Sequence, residues 1–199
     1  MPSPEALATT RENLMEGNEQ LAVIIPMLKE VASGIRGDQL GGATPCAAFT
    51  VEGVLGHMAG LASGFAPMFR GAEPTDAAPA DPTGEIREQF GPAMDGLLDA
   101  VQSPGALDRT IQTPGGAMPG TVFARLVALD GLVHGWDLAT STQQEWQPPD
   151  ALVAEVDSFA RQAISPEMRA GDAFGPELTA PDGTDAMARL VAFTGRRPA

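Results

Sequence analysis

The chain has 199 residues, of which 43% are hydrophobic, and this predicts a globular protein of one or at most two domains. Its formal net charge of −14 would repel a phosphate backbone, which argues against nucleic-acid binding. The single cysteine, Cys46, excludes an internal disulfide, and no apolar run approaches the ~20 residues of a membrane span, so we expect a cytoplasmic protein that does not bind membranes.

The first predicted helix lies near the amino terminus. The stretch Ser3-Pro4-Glu5 has the pattern of a helix start, with serine as the cap and proline in the first turn. Apolar residues then recur at helical spacing from Leu14 to Val31, and the pattern stops at Gly34. Because the apolar pattern continues beyond Pro26, we expect this proline to kink the helix rather than end it.

Two more helices are predicted in the first half of the chain. Thr50 can cap a second helix that runs to about Arg70, after a loop rich in glycine and proline. Residues 71–84 have the composition of an exposed linker. A third helix is expected over residues 84–102, where apolar residues again follow the helical period.

The second half continues the helical pattern. Residues 103–120 predict a long connection with a short extended piece around "RTIQT", and a fourth helix spans about 119–142. Pro148-Pro149-Asp150 opens a fifth helix, and the tail is expected to be extended and then to form a short helix. We therefore predict an all-α four-helix bundle, in one domain over 1–199, with 145–199 as an extension packed on the bundle.

The fourth helix holds ionisable residues in apolar surroundings. It carries Arg125, Asp130, His134 and Asp137, and apolar side chains flank them on both sides. A helix that is apolar nearly all round is typical of a buried position, where a carboxylate is costly unless it is paired. Asp130 and His134 are one turn apart and can face the same object.

The second helix has the same feature, because His57 is its only ionisable residue between Gly53 and Phe69. Two imidazoles and one carboxylate in apolar helices fit a divalent metal with three protein ligands, His57, Asp130 and His134. The residues alone leave an alternative open. In it the two histidines bond backbone carbonyls in the core, and Asp130 pairs with Arg125.

Other polar residues near these positions have two interpretations each. Asp137 could orient a metal-bound imidazole, or it could make a surface bond or cap the helix end. Arg125 could hold a substrate carboxylate or form an ordinary salt bridge. Trp136 could line a substrate pocket but is expected in the core. Cys46 precedes a helix start, which can lower the pKa of a thiol, but we expect it to be a buried, unreactive thiol.

Two stretches carry a family resemblance. The stretch "TPCAAFTVEGVLGHMAG" (residues 44–60), followed far downstream by "LDGLVHGWDLA" (residues 129–139), resembles the DinB/YfiT-like helical-bundle superfamily. It is most similar to the actinobacterial branch with the N-terminal domain of mycothiol-dependent maleylpyruvate isomerase. The ending "LVAFTGRRP" also resembles that branch, whereas Phe49 stands where tryptophan is more usual.

The resemblance implies a four-helix bundle with His57, Asp130 and His134 as metal ligands. Asp130 stands where the isomerase relatives have the longer glutamate. Zinc is the expected metal, with nickel, iron and manganese as alternatives. Enzymes of this superfamily use the metal to activate a low-molecular-weight thiol such as mycothiol for attack on an electrophile, so the implied partners are a small thiol and a small electrophilic substrate.

Three functional hypotheses follow from the sequence. The first is a metal-dependent transferase or isomerase that uses a mycothiol-like thiol on a small electrophile. The second is a non-enzymatic module that binds a metal or ligand, because the chain has no convincing general base beyond the proposed ligands. The third is a structural protein that forms a homodimer, as such bundles often do.

Overall fold

The computed structural model describes residues 15–72, 85–113, 116–170 and 174–198. Helix is the dominant element in these ranges, so the predicted all-α class is confirmed. The helix start predicted at Ser3 and most of the linker predicted at residues 71–84 lie outside the described residues.

Four long helices form the bundle. They are α1 (Gly17–Gly34), α2 (Val51–Phe69), α3 (Ile86–Val101) and α4 (Gly120–Thr142). α1 packs against α3 and α4, and α2 packs against the same two helices. α2, α3 and α4 coincide closely with predicted helices, because hydrophobic periodicity marks the buried face of a helix well, whereas α1 begins at Gly17, inside the first predicted helix.

Local chemistry sets where the helices begin and continue. Thr50 caps α2 as predicted, since its side-chain oxygen accepts a hydrogen bond of 3.1 Å from the backbone nitrogen of Gly53. α1 continues through Pro26 to Gly34, which confirms that this proline does not end the helix. A short 3₁₀ turn over Gly37–Gln39 follows α1.

A small antiparallel hairpin precedes α4. Strand β1 (Thr110–Thr113) confirms the predicted extended piece, and it pairs with β2 (Gly116–Pro119). The second strand was not predicted, because its sequence "GAMP" lacks the alternation of polar and apolar residues that marks a strand. Ile111 is buried and joins the hairpin to the core.

Three further helices follow the bundle. They are α5 (Asp150–Ala163), the short α6 (Pro166–Ala170), which was not predicted, and α7 (Ala186–Phe193). α5 packs against α4 and α7. Leu152 of α5 and Leu190 of α7 belong to the same apolar core as the bundle helices.

α4 is the central helix of the molecule. It packs against α1, α2 and α5, and its buried residues occur on every side of the helix. A polar side chain at one of these buried positions of α4 therefore needs a partner inside the protein. Among the described residues, no helix combines the length and apolar character needed to cross a membrane.

Candidate metal centre

Two helices bring the three predicted ligands together. α2 supplies His57 from its second turn, and α4 supplies Asp130 and His134 from successive turns of one face. Nε2 of His57 lies 3.5 Å from Oδ1 of Asp130, and Nε2 of His134 lies 3.6 Å from the same oxygen. We call these three residues the His–Asp–His site.

The spacing of the donor atoms is suited to a small cation. One ligand atom from each of the three residues lies within 4.8 Å of the other two. A tetrahedral ion with bonds of about 2.0–2.1 Å holds neighbouring ligand atoms about 3.3–3.4 Å apart. The observed distances of 3.5 and 3.6 Å are close to that value, and two imidazoles with one carboxylate are ordinary ligands for zinc.

The three side chains differ in exposure. Asp130 exposes 34% of its side chain and His57 exposes 27%, whereas His134 exposes 7%. Solvent therefore reaches the site from the side of His57 and Asp130, and His134 forms its inner wall. Three candidate ligands with one accessible side would leave space for a further ligand, which is the arrangement of catalytic rather than structural zinc sites.

The electrostatics of Asp130 favour its charged form. Burial acts to raise the pKa of this carboxyl group, but the hydrogen bond with His57 and the nearby imidazole of His134 outweigh burial. The pKa of Asp130 is therefore held below its ordinary value. An ionised carboxylate is the form that ligates a metal.

A second carboxylate fixes the ring of His134. Asp137 lies one turn further along α4, is fully buried, and places Oδ2 2.9 Å from Nδ1 of His134. A carboxylate accepts hydrogen bonds, so Nδ1 carries the proton and Nε2 is left to face Asp130 and His57. Of the roles considered for Asp137, the structure places it where it orients an imidazole.

Arg196 completes this arrangement from the other end of the chain. Its Nη2 donates to Oδ2 of Asp137 at 3.0 Å, and its Nε lies 3.3 Å from both carboxylate oxygens. Arg196 is only 6% exposed. We call the series Arg196–Asp137–His134 the buried relay.

The end of α7 places Arg196 in the relay. The backbone nitrogen of Gly195 donates to Ala192 and that of Arg196 donates to Val191, which is the hydrogen-bond pattern of a Schellman motif. Gly195 has a φ of +94°, which favours glycine, and the turn directs Arg196 back toward α4. Sequence reasoning missed Arg196, and the only local signal was the glycine after the predicted last helix.

An aromatic ring covers the more exposed histidine. Phe49 stacks on His57 with ring centroids 5.0 Å apart and presents its edge to His134 at 6.1 Å. Thr44 holds the loop that carries Phe49, because its hydroxyl oxygen lies 2.9 and 2.8 Å from the carbonyl oxygens of Cys46 and Phe49 and its single proton is shared between them. The loop before α2 therefore gives the site an apolar wall on the side of His57.

Cys46 lies close to the same histidine. Its sulfur, a ring nitrogen of His134 and a carboxylate oxygen of Asp137 lie within 4.8 Å of one another. Asp137 is already engaged by His134 and Arg196, so this second group lacks a free carboxylate. Cys46 is half-buried rather than buried as predicted, and its partial burial raises the pKa of the thiol above its ordinary value, which agrees with the expectation of an unreactive thiol.

The alternative pairing of Asp130 with Arg125 is not found. The guanidinium of Arg125 lies over the ring of Phe159 on α5, 5.2 Å from its centroid. Asp130 instead meets the two imidazoles. The alternative of histidines bonded to backbone carbonyls is not found for His134 either, since its Nδ1 meets Asp137.

Comparison with known proteins points to one family. Residues 24–139 match the family model described as the mycothiol maleylpyruvate isomerase N-terminal domain. Two uncharacterized proteins of Mycobacterium tuberculosis, from strains CDC 1551 and H37Rv, are each 33% identical to this chain over 165 residues. Each alignment covers 82% of this chain and 88% of the relative. No solved structure matches the chain.

Proposed function

The chain belongs to the family of the mycothiol maleylpyruvate isomerase N-terminal domain, and on this basis we propose that it is a metal-dependent, thiol-using enzyme. His57, Asp130 and His134 hold a divalent cation, for which zinc is the first choice and nickel, iron and manganese are alternatives. The cosubstrate is a low-molecular-weight thiol of the mycothiol type, and the substrate is a small electrophile. The reaction is a transfer or an isomerisation.

One observation carries this proposal: Nε2 of His57 and Nε2 of His134 lie 3.5 and 3.6 Å from the same carboxylate oxygen, Oδ1 of Asp130. The residues come from two helices, and 73 positions of sequence separate His57 from Asp130. A bound divalent cation would lower the pKa of a coordinated thiol, so that the nucleophilic thiolate is available near neutral pH.

The residues around the site divide the remaining tasks. His134 is held by Asp137 and defines the inner wall, whereas His57 and Asp130 border the accessible side, where the thiol and the electrophile enter. Phe49 supplies an apolar surface beside His57 and excludes water from one side of the reacting sulfur. In an addition the S–H bond is replaced by a C–S bond, and the thiol proton ends on the product.

The apolar recess on the inner side of Asp130 is not the substrate site. It lies between the bundle helices, is bordered by Met58, Phe65 and Val127, and has a volume of about 20 Å³. That is room for about one water molecule and not for an organic electrophile. The substrate is therefore proposed to approach from the accessible side bordered by His57 and Asp130.

We also propose that residues 145–199 are an extension of the same domain. Leu152 and Leu190 from this segment share the apolar core with the bundle helices, which supports one cooperative unit. A single thermal unfolding transition of the whole chain is the expected result. Two separate transitions would contradict the proposal.

The experiment combines metal analysis with a thiol-loss assay. The protein is purified without chelator, its metal content is measured, and mycothiol consumption is followed with a panel of small electrophiles, with glutathione as the comparison thiol. We expect about one metal per chain and turnover that disappears in His57→Ala and His134→Ala. Metal binding without turnover of any thiol would overturn the proposed enzymatic activity and support a non-enzymatic metal-binding module. Absence of metal would overturn the whole proposal.

A further inference from the structure

The carboxyl-terminal segment reaches into the metal centre through Arg196. Asp137 is fully buried; its Oδ2 receives hydrogen bonds from His134 and Arg196, and its Oδ1 receives one from Arg196. We propose that Arg196 is a positioning residue for metal binding, which acts through Asp137 to hold His134 with Nδ1 protonated and Nε2 facing the cation. The metal-binding role rests on the proposed function.

The geometry of the ion pair between Arg196 and Asp137 supports this role. Nε and Nη2 of Arg196 both contact the Asp137 carboxylate, at 3.3 and 3.0 Å. Two donors on a planar guanidinium fix the plane of the carboxylate as well as its position, which a single ammonium donor does not do. The orientation of the Asp137 oxygen that meets His134 is therefore set by Arg196.

The tautomer of the His134 ring also depends on this contact. A neutral imidazole can carry its proton on either nitrogen, and only the form with a bare Nε2 can ligate through the atom that faces Asp130 and His57. Oδ2 of Asp137, 2.9 Å from Nδ1, selects this form because a carboxylate paired with a guanidinium remains an acceptor. Hydrogen bonds to the non-ligating nitrogen commonly orient metal-bound histidines.

The backbone also holds Arg196 in this position. The Schellman motif at the end of α7 and the close approach of Gly195 to Gly175 fix the turn that carries Arg196. A Cβ on Gly195 would lie 2.6 Å from the backbone of Gly175. Arg197, the next residue, is exposed. Only the first of the two adjacent arginines is therefore turned inward.

The test compares zinc affinity in four forms of the full chain: wild type, Arg196→Met, Arg196→Lys and Arg197→Met. Affinity is measured by competition with a chromophoric zinc chelator, after circular dichroism has confirmed the fold. Loss of an orienting partner of a ligating histidine typically weakens metal binding about 10–100-fold. We expect a loss of that size in Arg196→Met, a smaller loss in Arg196→Lys, and wild-type affinity in Arg197→Met. A folded Arg196→Met with unchanged affinity, or an equal loss in Arg197→Met, would overturn the role in metal binding.

A second measurement needs neither metal nor activity. The chain has only two histidines, so ¹⁵N NMR of the metal-free protein resolves both rings, and His57→Ala assigns the remaining signals to His134. We expect Nδ1 of His134 to carry a proton throughout in the wild type and in Arg197→Met, and the ring of Arg196→Lys to contain a mixture of tautomers. A mixture already in the wild type, or an unchanged ring in Arg196→Lys, would contradict the role of Arg196.

The two measurements separate this inference from the proposed function. If the wild type binds no zinc, the proposed function fails, and the NMR result alone decides whether Arg196 sets the tautomer of His134. If the wild type binds zinc but neither Arg196 variant differs from it, the proposed function stands and the role of Arg196 fails. If Arg196→Met does not fold, Arg196→Lys provides both readouts.

Discussion

The two sides of the His–Asp–His site are held by different forces. On the α4 side, His134 is 7% exposed and is fixed by a carboxylate that is itself fixed by Arg196. On the α2 side, His57 is 27% exposed and is held by the stacked ring of Phe49, whose loop is fastened by Thr44. One side depends on buried charges and the other on an apolar contact near the surface.

The difference indicates a division of labour, in which the α4 side is rigid and the α2 side is adjustable. Directional hydrogen bonds between charged groups determine the angle of a ring, whereas stacking tolerates small rotations and shifts. The α4 side therefore pre-forms half of the site, and under the proposed function the α2 side can adjust when a thiol and a substrate enter. A site that must bind and release small molecules needs both properties.

The largest expected effect is on the α4 side. Asp137→Ala leaves the buried guanidinium of Arg196 without its partner, and breaking a buried pair in this way typically costs about 3–5 kcal/mol of unfolding free energy. Urea denaturation of the metal-free protein measures this cost. The double variant Asp137→Ala/Arg196→Met should recover much of it, because no uncompensated charge remains. A cost below about 1 kcal/mol is the usual size for an exposed ion pair. Such a value would show that the pair between Arg196 and Asp137 does not stabilise the fold as a buried ion pair does.

The next effect is the stabilisation of the fold by zinc, which needs both sides of the site. Zinc at 100 times its dissociation constant should raise the unfolding free energy by about 2.7 kcal/mol, because only the folded chain holds all three ligands together. Chelator should remove this increment and leave the helical content intact, since the core is apolar and independent of the metal. Calorimetry with and without zinc gives both results. His57→Ala and His134→Ala should both lose the increment, and its persistence in either variant would remove that histidine from the site.

The α2 side should respond more weakly. Aromatic pairs contribute about 0.5–1.5 kcal/mol beyond their buried area, so removal of the stacked ring in Phe49→Ala should cost about that much stability and less than about tenfold in zinc affinity. Phe49→Trp should keep both values near those of the wild type. The same chelator competition used for Arg196 makes the comparison direct. A loss in Phe49→Ala as large as that in Arg196→Met would make the two sides equivalent and contradict the division of labour.

The smallest effect concerns Cys46, which lies between the two sides. Because burial raises the pKa of its thiol, the thiolate fraction at neutral pH is reduced, and alkylation by iodoacetamide should be slower in the folded protein than in urea. The rate should rise with pH as the thiol deprotonates. Faster alkylation of the folded protein would show an activated thiol and would reopen the question of a catalytic role.

The sequence predicted much of the fold and all three residues of the His–Asp–His site. Apolar periodicity located the bundle helices, and the isolation of His57 among apolar and small residues indicated that it faces inward. The role of Arg196 could not be predicted, since 59 positions separate it from Asp137 and helical spacing carries no information over that distance. The choice among roles for Asp137 was likewise open until its burial was known.

The central claim is that His57, Asp130 and His134 hold the metal. Identification of the atoms bound to the metal tests it most directly. Among the described residues, two groups of side chains that include His134 offer three donor atoms each. One is the His–Asp–His site, and the other is formed by Cys46, His134 and Asp137 and contains sulfur. X-ray absorption at the zinc edge of the loaded full chain distinguishes them, because Zn–S bonds are about 2.3 Å and Zn–N bonds about 2.0–2.1 Å. The account predicts two imidazoles and oxygen ligands with no sulfur before thiol is added. A protein sulfur in the metal-loaded chain, or a single imidazole, would contradict it.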